Sequence, residues 1–151
     1  MARIARCGAQ ALMPVTLDAS AVAAWLLPDE ASEAADRLFV EAVQASELFQ
    51  APALWAWETG NLLTTACRRG RLTARQVGDA LQLLDKARVR LESPPDARRA
   101  QATFDLAHAH RLSFYDAAYL EQALRTGARL ATKDAALRRQ ALKAGVACLE
   151  L

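Results

Sequence analysis

Apolar and polar positions follow two rhythms along the chain. Short apolar runs stand at Val15-Thr16-Leu17, Leu48-Phe49-Gln50-Ala51, Val89-Arg90-Leu91 and Arg129-Leu130-Ala131-Thr132. Proline, glycine or an acid bounds each of them, which predicts β-strands. Helical spacing fills the stretches between. Ser20 is placed to cap a helix from Ala21 to about Leu27 that Pro28 stops. Residues 31–45 carry Ala34, Leu38, Val40 and Val43 near one stripe, and Ala53 to about Arg69 carries Leu54, Trp57, Leu62 and Ala66. Thr73 and Gln76 make a capping-box pattern that opens a helix to about Lys86. Further helices are predicted from about Ala97 to His110, from Ser113 to about Thr126 with Gly127 as terminator, and from Asp134 to Ala144. Val146 to Leu149 is predicted as an added edge strand.

Strands that alternate with helices imply an α/β fold, with a mostly parallel sheet covered on both faces. The length of 151 residues fits one domain, and 53% hydrophobic with 24% charged residues is a globular composition. Residues 1–12 are read as a disordered extension or an over-called start, with Met13 as the alternative initiator and 13–151 as the single domain. A net charge of +2 is too mild to mark a nucleic-acid binder. Local basic clusters, Arg68-Arg69-Arg71, Lys86-Arg88-Arg90 and the group from Arg125 to Lys143, suit either phosphates or solvated helix ends. Three widely spaced cysteines without a CxxC suggest neither a disulfide framework nor a zinc site and fit a reducing, cytoplasmic setting. No apolar run approaches the roughly 18 residues of a membrane span.

Chemistry enters through the acids. In open parallel sheets, sites form outside the carboxyl ends of the strands. Asp18 ends the first strand and Asp134 lies just beyond the fourth. Asp116 sits in the first turn of a helix, and Glu58 stands in a helix otherwise rich in tryptophan and leucine. Each has a structural reading too: Asp18 and Asp134 as helix caps, Ser113 with Asp116 as a loose capping box, and Glu58 as a solvated helix residue. Taken jointly, three of these acids fall at the edge where such a fold puts its sites, and four acids within a few ångströms would repel one another until a divalent ion neutralised them. Mg²⁺ prefers such oxygen ligands, and a metal site of this kind cleaves phosphodiesters with activated water and no nucleophilic side chain. The chain offers no Ser-His-Asp or Cys-His arrangement and no phosphate-cradling glycine loop.

The segments LDASAVAAWLLPDE, PALWAWETGNLL, LSFYDAAYLEQAL and RLATKDAALRRQA, in this order and spacing, resemble the PIN-domain ribonucleases, and most of all the VapC toxins of type II toxin–antitoxin systems. The resemblance covers about Val15 to Leu149. It implies a PIN-like three-layer α/β/α fold with a mostly parallel sheet of four to five strands. It further implies a Mg²⁺-dependent endoribonuclease, with Mn²⁺ as a substitute, whose acidic quartet is Asp18, Glu58, Asp116 and Asp134. Asp18 and Asp116 match the acids most directly tied to metal, Ser20 matches a supporting hydroxyl, and Asn61 matches a polar position that orients Glu58. RNA as substrate, a homodimer and an inhibitory VapB-like antitoxin follow from the same resemblance. The stretch before Val15 is longer than the family's usual start. A non-catalytic RNA- or protein-binding module on the same fold is the alternative.

The remaining polar and aromatic features have modest expectations. His108 and His110 point to different faces of a helix and make a poor chelate. Trp25, Trp55 and Trp57 are assigned to the core or a dimer surface rather than to base stacking.

Overall fold

The computed structural model describes residues 13–151; the extension expected at residues 1–12 lies outside them. Four short strands, β1 (Val15–Leu17), β2 (Phe49–Ala51), β3 (Arg90–Leu91) and β4 (Arg129–Ala131), form one sheet in the order β3-β2-β1-β4. All three pairings are parallel, with Thr16 beside Gln50 and Leu130, and Gln50 beside Arg90. The strands β1 and β2 are buried on both faces, as a sheet covered by helices requires. The expected strand at 146–149 reduces to one bridge, Leu130 to Cys148, because the chain pairs there for a single residue.

Seven helices flank the sheet among the described residues: α1 (Ala19–Leu26), α2 (Glu33–Gln44), α3 (Leu54–Arg68), α4 (Ala74–Ala87), α5 (Ala97–His110), α6 (Phe114–Thr126) and α7 (Ala135–Lys143). The helix α1 is apolar nearly all round and buried nearly all round, as such a helix must be. It begins two residues earlier than the sequence predicts: Asp18 occupies the cap position, and Ser20 lies within the first turn. Caps set the other boundaries. Ser32, Asp96, Ser113 and Asp134 each accept a backbone N–H, and Thr73 with Gln76 forms the reciprocal box. Gly127 ends α6 at φ +64°, a conformation that costs glycine little.

The buried faces of two helices differ from expectation. In α2 the core residues are Ala35, Leu38 and Ala42, while Val40 and Val43 face solvent. In α3 they are Trp55, Thr59, Leu63 and Ala66, and Trp57 is 82% exposed. Trp25, by contrast, is buried, donates from its indole nitrogen to the Ala35 carbonyl and packs edge-on against Phe39.

Candidate functional site

The parallel sheet determines what meets at its carboxyl edge. Asp18 follows β1, the loop after β2 leads into α3, Glu92 follows β3, and Thr132, Lys133 and Asp134 follow β4. The helix α6 feeds β4, so α6 starts at the same edge and brings Asp116 with its first turn.

Asp18 is only 7% exposed. Its Oδ2 accepts from the Ser20 hydroxyl at 2.5 Å and from the Thr132 hydroxyl at 2.6 Å. The backbone N–H of Lys133 donates to Ser20 Oγ at 2.9 Å, and that of Asp134 to Thr132 Oγ1 at 3.0 Å. Two amides of the β4–α7 turn thus orient two hydroxyls, which both point their protons at one carboxylate oxygen and leave Oδ1 outside the relay. Asp18 fills the cap position of α1 without making a side-chain cap bond. Burial pushes its carboxyl above the usual carboxylate range; the two hydroxyls oppose this and the charge of Asp116 adds to it.

Glu58 is half-buried on the edge of α3 and accepts from the Tyr119 hydroxyl. Its carboxyl is also held high, first by burial and then, against the pull of Tyr119, by the charges of Asp18 and Asp116. Burial together with Glu58 in turn pushes the Tyr119 phenol well above its ordinary value, so it stays a hydrogen-bond donor. Asp116 caps nothing with its carboxylate: Ser113 accepts the Asp116 N–H at 3.0 Å, and the Ser113 hydroxyl returns a bond to Asp116 Oδ2 at 2.8 Å. The reciprocal arm of a true capping box, to the Ser113 backbone, is replaced by this hydroxyl contact.

Asp134 behaves differently. It is exposed, and its Oδ1 accepts the Leu137 N–H at 2.7 Å as the cap of α7. Its connection to Asp18 runs through its backbone and the Thr132 hydroxyl. Asn61 lines an open cavity of about 480 Å³ together with Glu58, Leu54, Trp57 and Tyr115. The recorded partner of Glu58 is Tyr119 rather than Asn61.

The structure therefore brings Asp18, Glu58 and Asp116 within charge reach of one another and holds Asp134 one hydroxyl away. Among the described residues no three acid, histidine or cysteine side chains form a closed cage for an ion. The donor set fits a hydrated divalent cation, which takes one or two carboxylates and keeps waters elsewhere. It does not fit a shell built of protein oxygens alone.

Two residues of the relay, Thr132 and Tyr119, escaped sequence reasoning. Tyr119 lies three positions after Asp116, on the same face of α6, and a buried phenol needs a partner. Thr132 lies between strand end and cap, where a hydroxyl in sequence looks like any turn residue.

Four of the basic candidates are held in ion pairs. Arg71 bonds Asp29 and Glu30, Lys133 reaches Glu30 at 3.4 Å, Arg125 bonds Glu92 and Glu121, and Arg138 bonds Glu150. His110 meets Gln140, and His108 stacks on Phe104, so the two histidines have separate neighbours.

Comparison with known proteins agrees with this arrangement. The PIN domain family matches residues 15–143. Ribonuclease VapC3 of Pyrobaculum aerophilum is 34% identical over 122 residues, covering 81% of this chain and 90% of that protein. The crystal structure of PAE2754 from Pyrobaculum aerophilum superposes with a TM-score of 0.65 at 25% identity, over 85% of this chain and 86% of that one. With a buried, hydroxyl-supported aspartate at the head of a parallel sheet and these relatives across most of its length, the chain belongs to the PIN-domain family, in its VapC-type ribonuclease branch.

Proposed function

We propose that this protein is a Mg²⁺-dependent endoribonuclease, the toxin of a type II toxin–antitoxin pair, with Asp18, Asp116, Glu58 and Asp134 as its working acids. The observation that carries the proposal is that Asp18, Glu58 and Asp116 have no cationic partner among the described residues, although burial and mutual repulsion hold two of them high. A bound divalent cation supplies charge neutralisation, a lowered pKa for water and stabilisation of the leaving oxygen. Mn²⁺ satisfies the same oxygen donors.

The chain's own residues prepare the site. Asp18 and Asp116 hold the cation. Ser20 and Thr132 pin Asp18 through Oδ2, so that its second oxygen keeps one orientation. Tyr119 does the same for Glu58, which orients water. Asp134 holds the β4–α7 turn through its cap, and with it the amide that aligns Thr132. Asn61 provides a polar contact beside Glu58 in the open cavity. Single-stranded or looped RNA is the substrate class of this reading, because A-form duplexes hide their base edges. A VapB-like antitoxin as inhibitor, a homodimer and a cytoplasmic location accompany the same proposal. No helix among the described residues is long and apolar enough to cross a membrane.

The test is cleavage of an unstructured RNA with added Mg²⁺ by the wild type and by Asp18→Asn and Asp116→Asn. Both variants should fall to background while keeping native far-UV circular dichroism. Full cleavage by either would refute the assignment.

A further inference from the structure

Beside the carboxylates lies a second cavity, of about 290 Å³, with a mostly apolar lining. Pro52, Pro94 and Phe114 line it, as does the ion pair of Glu92 and Arg99, joined at 3.1 Å. Leu54, Trp57 and Tyr115 line both this cavity and the open one that holds Glu58. The two spaces therefore share a rim, and that rim is aromatic. Trp57 is 82% exposed and Tyr115 64% exposed, and neither ring pairs with another aromatic ring among the described residues.

Large aromatic rings held in water have a cost in apolar exposure, and side by side they mark a binding surface. We infer that Trp57 and Tyr115 form a stacking platform for an unstacked nucleobase of single-stranded RNA, and that the 290 Å³ cavity receives this base next to the phosphodiester held at Asp18 and Asp116. The inference rests on the ribonuclease assignment and names the part of the substrate that the acids do not touch.

Three observations favour a base over a peptide. The cavity is at the lower limit of sites for one small ligand, about 300 Å³, whereas a docked helix lies along an extended groove. Aromatic faces beside a phosphate-cleaving centre suit splayed bases, which stack on such rings with little dependence on sequence. The shared rim also gives continuity: a nucleotide whose phosphate is at the acids has its neighbouring base beside Trp57.

The experiment compares cleavage of an RNA oligonucleotide with cleavage of the same oligonucleotide carrying an abasic ribose beside the mapped cleavage position. The wild type should prefer the intact strand by roughly tenfold or more in kcat/KM. In Trp57→Ala/Tyr115→Ala that preference should collapse towards unity, while Trp57→Phe/Tyr115→Phe keeps most of it. Both side chains are exposed, so circular dichroism should report an unchanged fold. An unchanged preference in the double alanine variant overturns the inference. So does a double variant whose preference persists while a dimer dissociates or inhibition by a protein partner is lost, since the rim then belongs to a protein interface. If the wild type cleaves no RNA, the ribonuclease assignment fails, and fluorescence decides the platform separately. Quenching of tryptophan emission by the intact oligonucleotide, lost in Trp57→Phe, supports it, and absence of quenching overturns it.

Discussion

Two acid-rich clusters lie at the same edge of the sheet, and they are built in opposite ways. At the end of β3, Glu92 accepts from Arg99 at 3.1 Å and from Arg125 at 2.7 Å, and Arg125 also holds Glu121 at 2.7 Å. Burial pushes Glu92 up, but the guanidinium contacts prevail and hold it below the usual carboxylate range. At the end of β1, Asp18, Glu58 and Asp116 have hydroxyl partners and one another but no cation among the described residues, and Asp18 and Glu58 are held high. Carboxylates at one sheet edge thus have two outcomes. Where the protein supplies the cation, the acids staple α5 and α6 to the sheet edge. Where it does not, burial and mutual repulsion keep two of them high, and the proposed function assigns their neutralisation to a cation from solution.

The contrast can be broken in order of expected effect. Replacing Asp18 or Asp116 by asparagine should abolish divalent-dependent RNA cleavage, whereas no such loss of chemistry is expected from Arg125→Ala. Adding Mg²⁺ at about a hundred times its dissociation constant should stabilise the wild type by about 2.7 kcal/mol. Calorimetric melting should show this as a rise in Tm that EDTA reverses and Asp116→Asn removes; a Tm indifferent to Mg²⁺ would contradict an under-neutralised site. Arg125→Ala should destabilise the fold by about 1–2 kcal/mol in urea titrations, because it leaves Glu92 and the nearly buried Glu121 short of partners. In EDTA, Asp116→Asn should raise Tm by roughly 2–4 °C through relief of repulsion, about 1 kcal/mol for a domain of this size. A lower Tm would show that the Ser113 contact outweighs the repulsion.

A smaller effect separates the clusters by pH. A depressed carboxyl stabilises the fold above its unfolded pKa of about 4.3 and loses that contribution as pH falls through its lower folded value. The Glu92 cluster should therefore hold α5 and α6 in place down to mildly acid pH and release them below it. Acid titration of stability should be flatter in Glu92→Gln than in the wild type over that window.

Much of the frame was legible in the chain. The range of α5 from Ala97 to His110, the Thr73–Gln76 box and the stop at Gly127 come from local chemistry that tertiary packing does not override. The strands fall within about a residue of expectation because turn residues and acids bound them closely. The faces of α2 and α3 were less legible. Alanine supplies their core contacts at Ala35, Ala42 and Ala66, and alanine is too common in this chain to signal burial. Trp57 illustrates the cost: its size argues for the core, but its turn of α3 faces water. At the site, the carboxyl-edge rule puts Asp18 after β1 and Asp134 after β4 from sequence order alone, whereas Glu58, in the middle of α3, is not found by that rule. The hydroxyls of Thr132 and Tyr119 were hidden, since only the sheet and the face of α6 direct them to Asp18 and Glu58.

The strand order has one more consequence, in time rather than space. Asp18 is made early, but its Thr132 donor rides on β4, which joins the sheet only after α6 has been synthesised and folded back. A contact spanning 114 positions needs nearly the whole chain before it can close. A nascent or clipped chain that ends before β4 lacks the hydroxyl, both aligning amides and the partner strand on that side of β1. The earliest acid in the sequence therefore has its full set of hydroxyl donors only once the far end of the chain is present.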